Sequence, residues 1–371
     1  MTKEQIYQYL FYLMLFFGAY QLFHLLFFYL RILLKKNNTQ AINEPVSIII
    51  AARNESDNLQ KHIPVFCQQT YPNYQVIVVN DASTDDSQMV LAQLKEKYTN
   101  LYYTSIPQDQ TFYHSKKTAL LIGIKAAKTE LLVFSDADCC PASENWLSSI
   151  VSNFDSNTDI IIGYGPYKPQ KGFLDKIIRS ETVLIAMQYL SFALAKKPYM
   201  AVGRNMAYRK TFFEKNKGFA QHINLLSGSD DLFVNQNATK HNTKVEISAH
   251  SFTYSNQSKT LEEFFKQKVR HLTTSKYYKF KHKFLLAFES LSRTLLYAIA
   301  IFLMFQAKYQ YFAIGVLAFR TILSFVMFTL INKKLKEKKL IFVQLFYEIL
   351  QPVLNFVLLI FARRKKEFLW K

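Results

Sequence analysis

The chain of 371 residues contains few of the residues that make linkers or crosslinks, with only 9 glycines, 9 prolines and 3 cysteines. So little glycine and proline argues against low-complexity linkers. The three cysteines, Cys67, Cys139 and Cys140, are too few for a disulfide framework. They form no Cys-x-x-Cys pair or cysteine–histidine cluster that would indicate zinc. We therefore predict reduced thiols, and a length that accommodates one large soluble domain with a few membrane spans.

Acidic residues are also in the minority, since 46 lysines and arginines outnumber 27 aspartates and glutamates and give a net charge of +19. The basic residues cluster at 266–283, 333–339 and 363–366. Each cluster adjoins an apolar stretch, and the cytoplasmic flanks of membrane spans are typically basic. A nucleic-acid-binding protein would instead need a basic stripe on a soluble face. We predict membrane lipids as a partner and no nucleic acid.

A long apolar stretch at residues 6–34 opens the chain. About 20 residues suffice to cross a bilayer, so this stretch can span it. Arg31, Lys35 and Lys36 lie at its C-terminal end, which orients the N-terminus outside and the following domain in the cytoplasm. The length of the apolar stretch and the position of the charges predict an anchor rather than a cleaved secretory signal.

The C-terminal part of the chain predicts further membrane helices. Residues 285–305 and 311–331 form a predicted hairpin of two spans, and residues 340–362 form a third apolar stretch. Three residues poorly suited to the centre of a bilayer lie near the middle of this last stretch: Glu348, Gln351 and Pro352. It is therefore either a third span or a re-entrant or interfacial helix, and the basic residues that follow it favour the second alternative.

Between the apolar ends, residues 45 to about 255 alternate between strand and helix patterns. The predicted elements are strands that begin at Pro45, Gln75 and Leu131 and helices over 58–69 and 85–97. This alternation is typical of an α/β domain with a largely parallel sheet. Residues 171–200 fit a helix on the membrane surface and a core helix equally well. We predict an anchor at 1–40, a cytoplasmic domain at 41–283 and a membrane region at 284–371.

Carboxylates stand at the ends of two of the predicted strands. Asp81 ends the second strand, and Asp136 and Asp138 end the third. Ligands of an open parallel sheet bind at the carboxyl ends of its strands. A spacing of two in extended chain puts Asp136 and Asp138 on one face, where both can meet one divalent cation. This pattern predicts a nucleotide whose diphosphate is bridged to the protein by a divalent cation.

The ordered series of motifs resembles a membrane-anchored, inverting family 2 glycosyltransferase, of the group with cellulose, hyaluronan and poly-N-acetylglucosamine synthases and ceramide glucosyltransferases. The motifs are ARNES (52–56), NDAST (80–84), SKKTAL (115–120), DAD (136–138), GRNMAYR (203–209), SGSDDLF (227–233) and QKVRH (267–271). The resemblance covers about residues 45–275. It implies a GT-A-type nucleotide-sugar domain that binds Mg²⁺ or Mn²⁺.

The resemblance also implies roles for individual residues. The resemblance implies a nucleotide-sugar donor that is UDP-linked. The residues expected to bind it are Asn54, Glu55, Asp81, Lys117, Asp136, Gly203, Arg204, Asn205, Gln267 and Arg270. The metal ligands are expected to be Asp138 and Asp136. Relatives usually carry an acid where Ser229 stands, so the base is either Asp230 or Asp231, with Asp231 preferred.

The expected function is transfer of a sugar to a lipid or glycan acceptor at the cytoplasmic face of a membrane, most simply a bacterial inner membrane. His271 replaces the tryptophan of the Gln-x-x-Arg-Trp motif of the synthases, which argues for single transfer over processive polymer synthesis. A catalytically inactive nucleotide-binding scaffold is the alternative from a different class. A transporter would need matched polar residues in several spans, and the sequence shows one such cluster near Gln351.

Overall fold

A computed structural model describes residues 2–364 except positions 39, 41, 110–113 and 226. The strands are β1 (Val46–Ala52), β2 (Tyr74–Asp81), β3 (Leu101–Ile106), β4 (Leu131–Asp136), β5 (Cys139–Pro141), β6 (Ile160–Gly163), β7 (Met206–Arg209), β8 (Thr243–Glu246) and β9 (Thr253–Ser255). The helices of the soluble part are α3 (Ser56–Cys67), α4 (Ser87–Lys97), α5 (Lys116–Ala126), α6 (Trp146–Val151), α7 (Phe173–Leu194), α8 (Lys210–Lys215), α9 (Asp231–Asn237) and α10 (Leu261–Ser275).

The N-terminal and C-terminal parts are helical. The long apolar helices are α1 (Lys3–His24), which continues through a π-helical turn (Leu25–Tyr29) into α2 (Leu30–Leu34), then α11 (Phe280–Met304), α12 (Gln310–Lys334) and α13 (Ile341–Arg364). The last two residues of the basic cluster at 363–366 lie outside the described residues.

A seven-stranded sheet with the order β3-β2-β1-β4-β7-β6-β8 forms the centre of the soluble domain. β3, β2, β1 and β4 run parallel, β7 is antiparallel to both of its neighbours, and β8 is parallel to β6. Every residue of β1 is buried, as expected for a parallel strand covered by helices on both faces. The predicted α/β domain with a largely parallel sheet is confirmed, and it is of the GT-A type.

The first two helices of the domain differ slightly from their predicted bounds. α3 starts at Ser56 rather than at residue 58, and α4 starts at Ser87 rather than at residue 85. The cause is Asp85, whose carboxylate accepts hydrogen bonds from the backbone N–H groups of Ser56 at 2.9 Å and Ser87 at 3.0 Å. Asp85 thus caps the N-termini of both helices although it belongs to neither.

α7 is largely buried, which favours the core-helix alternative for residues 171–200. In its most apolar window, 72% of the residues are buried. The Tyr189 hydroxyl donates to the Gly163 carbonyl at 2.9 Å, which fixes α7 to the end of β6. On its other side, the ring of Phe192 lies 4.6 Å from that of Phe28 in the π-helical turn. α7 therefore connects the sheet to the membrane helices.

In the described chain, the helix that runs from Lys3 to Leu34, together with α11, α12 and α13, is long and apolar enough to cross a membrane. Glu348 of α13 accepts hydrogen bonds from Arg293 of α11 and from Arg320 of α12, both at 2.9 Å. Arg320 also donates to Gln21 of α1 at 3.2 Å. Charged side chains inside a membrane bundle are costly unless they are paired, so this cluster specifies how the four helices pack.

The loop between α12 and α13 is docked on the soluble domain through Glu337. The Tyr164 hydroxyl donates to this carboxylate at 2.9 Å, and Arg179 of α7 donates at 3.1 Å. Arg179 also pairs with Asp175 at 3.2 Å. Nearby, the Lys334 ammonium donates to the carbonyl of Leu33 at 2.8 Å. The membrane region and the domain are thereby joined by buried polar contacts.

Candidate active site

A cavity of about 1060 Å³ lies at the carboxyl ends of β1 and β4. Nine of the residues expected from the sequence line it: Glu55, Asp136, Asp138, Gly203, Arg204, Asp230, Asp231, Gln267 and Arg270. Four others do not belong to its described lining: Asn54, Asp81, Lys117 and Asn205. The topology thus brings together side chains that are up to 215 positions apart, taking Glu55 and Arg270 as the ends of the set.

The ligand atoms of Asp136, Asp138 and Cys139 lie within 4.8 Å of one another and form a candidate metal site. Ser255 donates its hydroxyl to Asp138 at 2.7 Å, and the Cys139 thiol donates to the same carboxylate at 3.3 Å. Burial raises the pKa of the Cys139 thiol, and sulfur is a soft ligand that suits a hard cation poorly. The two carboxylates remain, and their oxygens suit a hard cation such as Mg²⁺ or Mn²⁺.

The side chains of two neighbouring lysines, Lys116 and Lys117, point in different directions. Ser115 caps α5 by accepting from the Thr118 N–H at 3.2 Å. From this start, Lys116 faces the cavity and contacts the Asp136 carboxylate. Lys117 points elsewhere, and its ammonium donates to the carbonyls of His222 at 2.5 Å and of a second residue, Leu225, at 2.7 Å. Lys117, expected to reach the donor diphosphate, instead holds the segment that precedes SGSDDLF.

Asp230 and Asp231 make different contacts although they are adjacent. The Asp230 carboxylate accepts from the Gly203 N–H at 2.6 Å and makes no capping bond to α9. Asp231 is 9% exposed and accepts from the hydroxyls of Thr274 at 2.5 Å and Tyr278 at 2.8 Å. Burial and the neighbouring Asp230 carboxylate raise the pKa of Asp231 to about 6. A carboxylate with this pKa can accept a proton near neutral pH.

Arg204 and Asn205 face opposite ways. The Arg204 guanidinium lies over the ring of Tyr167 at 4.7 Å and donates to the Gly165 carbonyl at 2.8 Å, on the cavity wall. Asn205 is fully buried, and its amide donates to the carbonyls of Tyr164 at 2.6 Å and Ser251 at 2.8 Å. In this structure Asn205, expected near the sugar, supports the backbone behind the cavity.

Gln267 and Arg270 lie one turn apart on α10. Gln267 donates to the Tyr167 hydroxyl at 3.2 Å, next to Arg204. Sequence reasoning missed Lys268 and Glu181, which form a buried ion pair in the same wall. Lys268 sits inside a basic cluster and so carries no distinguishing signal, whereas Glu181 is an acid directly before a long apolar stretch of α7.

Asp81 and Asn54 lie at the same edge of the sheet, beside the cavity. The Asp81 carboxylate is buried at the end of β2, and its Oδ1 lies 2.5 Å from Nδ1 of His114. Its Oδ2 has no hydrogen-bond partner among the described residues. Asn54 has a positive φ of 53° and accepts from the Thr84 N–H at 2.8 Å, which ties the loops after β1 and β2 together.

The comparisons with known proteins agree with this arrangement. Residues 47–216 match the sequence profile of Glycosyl transferase family 2. Glycosyltransferase AglE of Haloferax volcanii is 32% identical over 120 residues, which cover 32% of this chain and 38% of the relative. A poly-beta-1,6-N-acetyl-D-glucosamine synthase of Staphylococcus epidermidis is 30% identical over 108 residues, or 29% and 25% of the two chains.

A further relative is the UDP-Glc:alpha-D-GlcNAc-diphosphoundecaprenol beta-1,3-glucosyltransferase WfaP of Escherichia coli, which is 28% identical over 134 residues, or 35% and 49% of the two chains. The matched segments therefore span less than half of these relatives' own length. The mannosyltransferase PcManGT of Pyrobaculum calidifontis, solved with GDP-Man and Mn²⁺, aligns with 93% of this chain and 99% of its own at a TM-score of 0.59 and 16% identity. The profile match therefore assigns residues 47–216 to Glycosyl transferase family 2, and the chain shares its overall fold with PcManGT.

Proposed function

We propose that this glycosyltransferase moves a sugar from a UDP-linked donor to a lipid or glycan acceptor at the cytoplasmic face of a membrane, with inversion at the anomeric carbon. One observation carries the proposal. The candidate metal pair, Asp136 and Asp138, and the candidate base pair, Asp230 and Asp231, line the same cavity. A donor diphosphate at the first pair and an acceptor hydroxyl at the second can thus meet.

The donor side of the cavity has the groups that a nucleoside diphosphate requires. Mg²⁺ or Mn²⁺ held by Asp136 and Asp138 would neutralise the charge on the departing diphosphate. Lys116 and Arg270 supply further positive charge in the lining. The unpartnered Oδ2 of Asp81 suits the N–H group of a uracil base. The named donors of two similar proteins, UDP-Glc for WfaP and GDP-Man for PcManGT, support a nucleotide sugar.

On the acceptor side, Asp231 is the proposed base. It takes the proton of the acceptor hydroxyl while that oxygen attacks the anomeric carbon from the face opposite the departing diphosphate. The attack forms the new C–O bond as the bond to the diphosphate breaks, which inverts the configuration. Thr274 and Tyr278 hold the carboxylate in place, and the alternative base is Asp230.

Features of the sequence support the proposed membrane side and single transfer. Arg31, Lys35 and Lys36 lie on the domain side of the first apolar helix, which supports a cytoplasmic domain. The described membrane helices are few for enclosing a polymer, and His271 stands in place of the tryptophan of the synthases. Both features support single transfer rather than polymer export.

The test is turnover by the purified full chain in native lipid. A panel of UDP-sugars is offered with Mn²⁺ or Mg²⁺, with chelator, and to the variants Asp138→Ala and Asp155→Ala. Asp155 is the matched control because its carboxylate forms a partly exposed ion pair with Lys244, outside the cavity lining. Metal-dependent UDP release from one donor, lost only in Asp138→Ala, is expected. UDP binding without release, even with lipid extract, would favour the inactive scaffold.

A further inference from the structure

The cavity continues past the carboxylates into the membrane helices. Its lining includes Leu286, Ala287, Ser290, Leu291 and Thr294 of α11, and Gln351, Pro352, Val353, Asn355, Phe356 and Leu359 of α13. The α11 set recurs at three and four residues and so lies on one face of its helix. In α13, Pro352, Asn355, Phe356 and Leu359 follow the same spacing, and Gln351 and Val353 flank that face. These two faces form the walls of a groove, here named the α11–α13 groove, that opens into the active-site cavity.

The groove is built on helices that can cross a membrane. From Leu286 to Thr294, α11 rises about 12 Å at about 1.5 Å per residue. Three apolar side chains of the walls are largely unpacked, with Leu291 55%, Val353 53% and Phe356 66% exposed. Unpacked apolar side chains on helices of this kind favour contact with hydrocarbon over contact with water.

Two polar residues of the groove use their polar atoms inside the protein. The Thr294 hydroxyl donates to the Ser290 carbonyl at 3.0 Å. The Gln351 side-chain oxygen accepts from Arg293, in the buried charge cluster, at 3.4 Å. Ser290 and Asn355 also line the groove, and Lys283 lines the cavity about one turn before Leu286. The other seven groove residues are apolar, so a hydrocarbon chain would be held along its length.

We propose that the α11–α13 groove binds the hydrocarbon chain of the acceptor, so that the acceptor is a membrane lipid rather than a soluble glycan. The inference rests on the proposed function and narrows its acceptor class. The lipid enters from the side, with its chain between α11 and α13 and its head in the cavity near Asp231. The lipid head points toward the domain because the groove and the cavity are continuous and the carboxylates lie at the domain end of the cavity.

The first test uses a long-chain alkyl alcohol that carries a diazirine at the end of its chain. It is photo-crosslinked to the full chain in nanodiscs, and labelled peptides are mapped by mass spectrometry. Ala287→Phe fills the groove, and Ala298→Phe places the same ring on an exposed position of α11 outside the cavity lining. We expect labelling of 286–294 and 351–359 to fall about tenfold in Ala287→Phe, as exclusion of two methylenes would give, and to stay unchanged in Ala298→Phe.

Equal loss of labelling in both variants, or labelling spread evenly over the exposed faces of α1 and α12, would overturn the inference.

A second experiment follows the donor sugar into the products. Recovery of the sugar in the organic phase supports a lipid acceptor, and recovery only in water-soluble product contradicts it. Binding of UDP with Mn²⁺ is measured in every variant. If the unsubstituted protein does not bind UDP, the proposed function is refuted. The labelling pattern would still show whether the α11–α13 groove binds a hydrocarbon chain.

Discussion

Tyr278 donates its hydroxyl to Oδ2 of Asp231 at 2.8 Å, and this oxygen also accepts from Thr274 at 2.5 Å. Both donors favour the ionised carboxylate, whereas burial and Asp230 oppose it. Lys117 also acts on Asp231, since its positive charge lies close enough to interact with the carboxylate. The acidity of the proposed base is therefore set by identifiable neighbours, each of which can be changed.

The pH profile is the first prediction. Activity is expected to rise as pH passes through about 6, because Asp231 must lose its proton to act as a base. Tyr278→Phe removes a bond to the ionised form and should move the acid limb of kcat/KM to higher pH. Asp230→Asn removes a like charge and should move it to lower pH. An unmoved limb in Tyr278→Phe, with no turnover by Asp230→Asn, would identify Asp230 as the base.

Substitutions of Lys116 and Lys117 in α5 should have different effects, one on donor binding and the other on stability. Lys117→Met removes two charge-assisted hydrogen bonds, to the carbonyls of His222 and Leu225, and should lower the free energy of unfolding by about 1–3 kcal/mol. Lys116→Met should preserve stability and raise the KM for the donor about tenfold through lost attraction to the diphosphate. Thermal unfolding and donor kinetics of both variants separate the effects. A higher KM without lower stability in Lys117→Met would show that Lys117 leaves its carbonyls to reach the donor.

Breaking the contact of the α12–α13 loop should destabilise the protein. Glu337→Ala leaves Arg179 buried without this partner, and loss of one member of a buried pair costs about 3–5 kcal/mol. The exposed pair of Glu262 and Lys266 provides the control, since such pairs contribute about 0–1 kcal/mol. Thermal unfolding in one detergent compares Glu337→Ala with Glu262→Ala. Equal midpoints would show that the loop contact adds little.

A further prediction concerns the charge cluster that Glu348 forms with Arg293 and Arg320. Glu348→Gln removes the carboxylate that Arg293 and Arg320 share, so two buried positive charges lose a counter-charge and the midpoint of thermal unfolding should fall. The double variant Glu348→Gln, Arg320→Gln should recover part of the loss, because the excess charge is gone. A double variant less stable than the sum of both single variants would contradict this pairing.

The strand-end carboxylates could be predicted from the sequence because buried parallel strands are continuous apolar runs that stop at the site. Asp81 and Asp136 are indeed the last residues of β2 and β4. The roles of Lys116 and Lys117 could not be predicted. Successive residues of a helix point about 100° apart, so a choice between them needs the position of the helix in three dimensions.

Contacts between residues far apart in the chain also could not be predicted from the sequence. Arg179 and Glu337 are 158 positions apart, and no local pattern connects them. Whether α7 lies in the core also depends on what covers it, because an apolar helix with a few charges suits a protein interior and a membrane surface alike. The sequence shows which residues are unusual for their surroundings, such as Glu348 in an apolar stretch, but not which residues pair with them.

The double attachment of the domain has a consequence for which molecules are modified. Lys334 ties the end of α12 to the end of the first apolar helix at Leu33, and Glu337 ties the following loop to α7 through Arg179. With both contacts in place, the distance between the cavity and the apolar helices is fixed. Where these helices span a membrane, as proposed, a hydroxyl that lies deeper in the membrane, or farther out in solution, would be beyond the reach of Asp231, the proposed base, whatever its chemistry. The enzyme would thus select acceptors by their depth as well as by their structure.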